Sequence, residues 1–195
     1  MKQIASLCER EMTQWIFTAR QRFISSQTQD WHSYIKFSGF THITEVVTLD
    51  YILCPDLIDD LMDEDWSYNV QADCRITWFT NLAYLRQRIR WRIGQDQLLA
   101  ILEQPTHIHA VPPKFEFCGF DIVDDADGNS VLTNCGQFSD RDAGFIPSDV
   151  NQFGLLSNLD HANAVAAQLR LSFPDDPHCR NCRVWQIARD LEPDD

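Results

Sequence analysis

Cys118, Cys135, Cys179 and Cys182 are four of the seven cysteines and all fall in the C-terminal part of the 195-residue chain. Thiols gathered in this way can hold a tetrahedral metal ion, form a redox pair, or pack as small apolar groups. The stretch Phe115–Val123 reads as a strand. Asp124-Asp125-Ala126-Asp127-Gly128-Asn129 then reads as a turn, with Asp-Gly as its hairpin signal, and Ser130–Cys135 returns antiparallel. Closing this hairpin with Asp124 opposite Asn129 sets Cys118 opposite Cys135, on the side of Phe120, Ile122 and Val131. A His178-Cys179-x-x-Cys182 turn docking there would complete a structural zinc site. The competing reading is reduced, packed thiols, favoured by the apolar company of Cys118 and Cys135. Redox chemistry fits poorly, because a low thiol pKa wants a helix N-terminus and this motif precedes a strand.

His107 and His109 stand two apart on a stretch read as strand, so their imidazoles point to one side. Such a pair is the beginning of a catalytic metal site that needs a third ligand, such as Glu116 or His161. Glu116 lies beyond Pro112-Pro113, which weakens that reading against a surface histidine pair. Calcium is set aside: with Gly128 in the sixth position of an EF-hand loop, Val123 and Asn134 would stand at the first and twelfth, where ligands are needed. No phosphate-binding glycine loop and no nucleophile elbow occurs.

The other chemical signal is charge. The formal net charge is -13, with 29 acids against 16 bases. Residues 56–73 carry seven acids and no base, and residues 74–94 carry five arginines and no acid. Asp56, Asp59, Asp60, Asp63, Glu64 and Asp65 form the densest acidic run, on an expected short helix capped by Asp56 with Leu57, Ile58, Leu61 and Met62 inward. Like charges one turn apart repel by a few tenths of a kcal/mol per pair, roughly, so the run requires solvent or a cationic partner. Arg86, Arg88, Arg90 and Arg92 alternate with apolar residues. Internal compensation with residues 56–65 is favoured over phosphate contact, since so acidic a chain repels nucleic acid and anionic membrane.

The elements that would position these groups follow from periodicity. Ile4, Cys8, Met12, Trp15, Ala19 and Phe23 predict an amphipathic helix over 3–24. Residues 31–53 predict two or three strands broken at Gly39, and Cys74–Phe79 predicts another. Residues 82–93 fit both periods and lean to helix on composition. Asp96–Glu103 predicts a short helix and Thr106–Val111 a strand. Ser157-Asn158-Leu159-Asp160 reads as a capping box for a last helix whose inner face is Ala162, Val165, Ala166, Leu169 and Phe173, ended by Pro174. Arg183–Leu191 predicts the final strand.

The expected fold is α+β: one domain over 1–195 with a polar tail at 190–195, built on a mainly antiparallel sheet of about six strands with packed N-terminal and C-terminal helices. No run reaches the roughly 20 apolar residues of a membrane span, and Glu9, Arg10 and Glu11 interrupt any signal-peptide core. A cytoplasmic location with reduced thiols is expected. The functional expectation is a non-enzymatic acidic protein acting on another protein with a basic surface, as immunity proteins, antitoxins and inhibitors do. The alternatives are a metal-dependent enzyme using His107 and His109, or a structural module with zinc at Cys118, Cys135, Cys179 and Cys182.

Overall fold

The protein, seen in a computed structural model, is described for residues 15–25, 29–49, 70–71, 78–90, 95–124, 128–133 and 146–191. In chain order the elements are β1 (Ile16–Gln21), β2 (Phe23–Ile24), α1 (Gln29–Ser38), β3 (Glu45–Val46), β4 (Val70–Gln71), β5 (Trp78–Phe79), α2 (Leu82–Ile89), β6 (Asp96–Glu103), β7 (Phe115–Val123), α3 (Leu159–Ser172) and β8 (Arg183–Asp190). The fold is α+β. One antiparallel sheet runs in the order β4-β5-β1-β6-β8-β7, and β2 with β3 forms a second, two-stranded sheet.

Two expectations are overturned by burial on both sides of that sheet. Residues 16–24 of the expected N-terminal helix are β1 and β2, while residues 3–14 lie outside the described part. Asp96–Glu103 is strand rather than helix. Both β1 and β6 have hydrogen-bonded neighbours on either edge, and residues from both of their faces are buried: Thr18, Ala19 and Arg20 in β1, Leu98 through Ile101 in β6. A strand covered on two faces loses its period of two, and its apolar run then fits a helix equally well. The reverse error falls on residues 31–38, expected as part of a strand region and found in α1 (Gln29–Ser38). There Trp31, Tyr34 and Ile35 recur at helical spacing and pack inward, with Phe23 resting 5.2 Å from the Trp31 ring. Gly39, at φ 74, ends α1 by donating its N–H to the Ile35 carbonyl, a backbone position that favours glycine.

Directly paired residues share a face of a sheet. Phe120 and Ile122 therefore share one with Gln186 and Val184, and α3 covers it through Ala162, Val165, Ala166 and Leu169. Helix α2 lies on the same face over β1, seating Leu85 and Ile89 against Ala19 and Leu98. Asn81 caps α2 by accepting the Tyr84 N–H at 3.1 Å, and Asn158 caps α3 by accepting from His161 at 2.9 Å. Each cap stabilises its helix by about 1 kcal/mol. On the opposite face Leu99, Ile101, Trp185 and Ile187 pack against Val47, Leu49 and Leu155, and Trp78 meets Trp185 at 4.9 Å. Each fully buried Leu or Ile contributes roughly 2 kcal/mol to this layer.

Residues 106–111, expected as strand, form no ladder. The segment instead borrows a side chain. The buried Gln186 accepts the His109 N–H at 3.0 Å and donates to the His109 carbonyl at 2.8 Å, replacing the two bonds a neighbouring strand would supply. Ala100 and Ala188 leave room beneath for Val111.

Candidate functional site

The hairpin register is as read through its first three pairs. Asp124 donates to the Asn129 carbonyl at 2.9 Å, Val123 bridges Ser130, and Val131 donates to the Ile122 carbonyl at 2.6 Å. It goes no further. Phe120 exchanges both of its main-chain bonds with Leu156, so the ladder changes partner before reaching Cys118. Cys135 lies outside the described residues.

Cys118 sits at a bulge, where the β7–β8 register slips between Phe117 and Gly119. Its carbonyl accepts the Asn151 carboxamide N–H at 2.7 Å. Its side chain packs with Ile187 and Leu155, on the face opposite Cys179 and Cys182. The latter two are fully buried against α3, with the Cys182 Sγ directed at the Ala166 carbonyl, 3.7 Å away. The sheet thus stands between Cys118 and the His-Cys-x-x-Cys turn, and the described residues do not bring the three thiols together. Burial pushes the Cys118 thiol up to about 12 and the Cys182 thiol up to about 11. Desolvation outweighs the nearby Arg189 and Arg170, so both are thiols held as core groups.

His107 and His109 do share a side, with ring centroids 3.9 Å apart and planes 30° from parallel. They stack rather than converge. Burial, and then the charge of His107, lowers the His109 pKa. Of their expected third ligands, Glu116 is bonded to Arg189, and His161 lies 3.9 Å from Asp149. Among the described residues no three His, Cys, Asp or Glu side chains form a group that could hold a metal ion.

Asp56, Asp59, Asp60, Asp63, Glu64 and Asp65 lie outside the described residues, as does Arg92. The expected compensation of the arginines therefore finds a different described partner. Arg86 reaches Asp190 at 2.5 Å, where β8 ends with its carboxylate buried, and Arg88 lies over the Tyr84 ring. Arg189 holds both Glu45 and Glu116 while its guanidinium covers the Phe153 ring at 4.6 Å. Arg183 holds Glu103.

Three further polar arrangements carry no signal in composition or spacing. Asp121 is wholly buried and accepts from Leu49 N–H at 2.6 Å, Ile122 N–H at 2.8 Å and the Ser130 hydroxyl at 2.6 Å. Burial pushes its carboxyl up to about 6, against those donors and Arg20. Asp121 is one of two acids in the strand Phe115–Val123, the other being Glu116, so the pattern does not single it out. His178 Nδ1 meets the buried Asp124 carboxylate at 3.1 Å, tying the turn before β8 to the hairpin. The third is a polar cleft of about 540 Å³ between α3 and the adjoining ends of β6 and β8, lined by Gln104, Asn163, Arg170, Asn181 and Arg183, with Cys182 at its wall.

Comparison with family models, with curated proteins and with solved structures finds no match to this chain. Among the described residues no helix is long and apolar enough to cross a membrane.

Proposed function

We infer that the protein is a non-enzymatic acidic binding protein, of the immunity, antitoxin or inhibitor kind, that captures a partner with a basic surface. The observation that carries the reading is the disposition of charge. Arg86 and Arg189 are held by Asp190, Glu45 and Glu116, and the more exposed Arg22 and Arg183 stand against Glu45 and Glu103, so these cations are already answered by carboxylates of the same chain. The net charge of -13 is then displayed by the remaining carboxylates, with Asp56, Asp59, Asp60, Asp63, Glu64 and Asp65 as the densest run and the contact surface. Complementary charge of this kind raises the association rate and rejects acidic competitors more than it deepens affinity. The proposed location is cytoplasmic.

The test has two stages. A tagged protein recovers its partner from lysate at low salt, and the identified partner is then purified and its association rate measured. Replacing Asp59, Asp60 and Asp63 by lysine should slow association at least tenfold at low salt, with the difference shrinking as screening rises. An association rate indifferent to the triple replacement and to salt would remove the acidic-face reading.

A further inference from the structure

We propose that the cleft between α3 and the ends of β6 and β8 is a binding site for a small oxyanion, a carboxylate- or phosphate-bearing molecule. Three observations converge there. First, the lining inverts the character of the chain: two arginines and three carboxamides, and no acid among the described residues that line it, in a protein with 29 acids and 16 bases. Second, its donors are uncommitted. Gln104 engages Val184 through its backbone N–H alone. Among the described residues, the carboxamides of Gln104, Asn163 and Asn181 make no hydrogen bond. Third, the cation is held in position but unanswered. Arg170 Nη1 donates to the Cys182 carbonyl at 2.7 Å, which anchors the side chain across the turn between α3 and β8. Among the described residues its side chain engages Cys182 alone, at the carbonyl and beside the thiol, and makes no ion pair. A guanidinium has five N–H donors in a plane, so the remaining ones stay available for the paired oxygens of a carboxylate or phosphate.

Arg183 plays a lesser part, because Glu103 already holds it. The positive charge of the cleft is therefore that of Arg170, with the three carboxamides completing the oxygen shell and distinguishing the ligand by its hydroxyl or amide groups. A cleft of about 540 Å³ lies within the range of small-ligand sites, roughly 300–1,000 Å³. Cys182 contributes surface only, since its thiol stays protonated at neutral pH. The site uses none of the acidic residues of the proposed partner face, and it stands or falls separately from that reading.

Titration of the purified protein with inorganic phosphate and, in a parallel arm, with citrate and succinate tests the proposal. Ionic strength is held constant with chloride, and the readouts are calorimetry and thermal melting. The expected result is saturable one-to-one binding of one anion class with a rise in melting temperature, weakened at least tenfold in Arg170→Met. The arm that saturates names the class. Because Arg170→Met also removes the anchor to Cys182, Asn163→Leu serves as the second variant; it leaves that anchor intact and should weaken binding severalfold. Absence of saturable binding to all three anions, or equal affinity in wild type and Asn163→Leu together with Arg170→Met, overturns the proposal.

Discussion

The Arg189 guanidinium lies 2.5 Å from the Glu45 carboxylate, joining β8 to β3 across 144 positions of the chain. Glu45 is buried, with Arg22 at 3.9 Å as its more distant cation, while Glu116 is partly exposed. Removing one member of such a pair leaves an unanswered buried charge and costs about 3 kcal/mol, whereas removing both costs far less. Arg189→Met should therefore lower the urea midpoint sharply, and Glu45→Gln added to it should restore much of the loss. Equal midpoints for the single and double variants would show that the pair is solvated.

Asp121 predicts a pH dependence of definite sign. Burial raises its carboxyl from 3.8 to about 6 in the folded protein. Below pH 3.8 the group is protonated in both states and its contribution to stability is complete. As pH rises toward 6 the unfolded chain ionises first, so stability falls, by about 3 kcal/mol across that window. Asp121→Asn removes this limb of the stability profile. The variant also turns an amide N–H toward one of the three donors, so at low pH it is less stable than wild type by roughly 2 kcal/mol, and the gap closes as pH rises through 6. A profile between pH 4 and 6 that is the same in wild type and variant would contradict the assignment.

Gly119 is expected to tolerate nothing larger. A Cβ there would stand 2.8 Å from both the Leu155 Cβ and the Leu156 carbonyl oxygen, at a φ of +145. Strain and overlap together make Gly119→Ala cost about 3 kcal/mol. Thermal melting reads this directly, and Gly39→Ala supplies a contrast, because φ strain acts there without close neighbours.

The buried thiols should be inert. With its thiol at about 11, only about a thousandth of Cys182 is thiolate at pH 8, and Cys118 less still. Alkylation followed by peptide mapping should find both unmodified in the native protein and fully modified in denaturant. Rapid native labelling of Cys118 would place it outside the core.

Legibility in the sequence followed burial. β7 was readable because Phe115–Val123 is a nine-residue strand set off by Pro112-Pro113 and the Asp-Gly turn. α3 was readable because the Ser157-Asn158-Leu159-Asp160 stretch marks its start, with Asn158 as the cap in the structure, and one face alone is apolar. β1 and β6 were not, because packing on both faces hides the period of two. His107–Val111 carried strand propensity, yet its partner is the Gln186 side chain, which no local pattern encodes. The register from Asp124 to Ile122 came from the turn, but the switch to Leu156 at Phe120 depends on a segment far along the chain. Asp121 and the Arg170 cleft depend on contacts of the same long range, and a single sequence gives them no spacing to reveal.

The position of β8 has a consequence for the nascent protein. It pairs with β6 on one side and β7 on the other, yet it is the last of the three to be synthesised. Until residues 183–190 leave the ribosome, β6 and β7 have no strand between them and present open hydrogen-bonding edges to whatever is near. The sheet therefore closes only after β8 has emerged, and in that interval the edges of β6 and β7 are open to pairing with other chains.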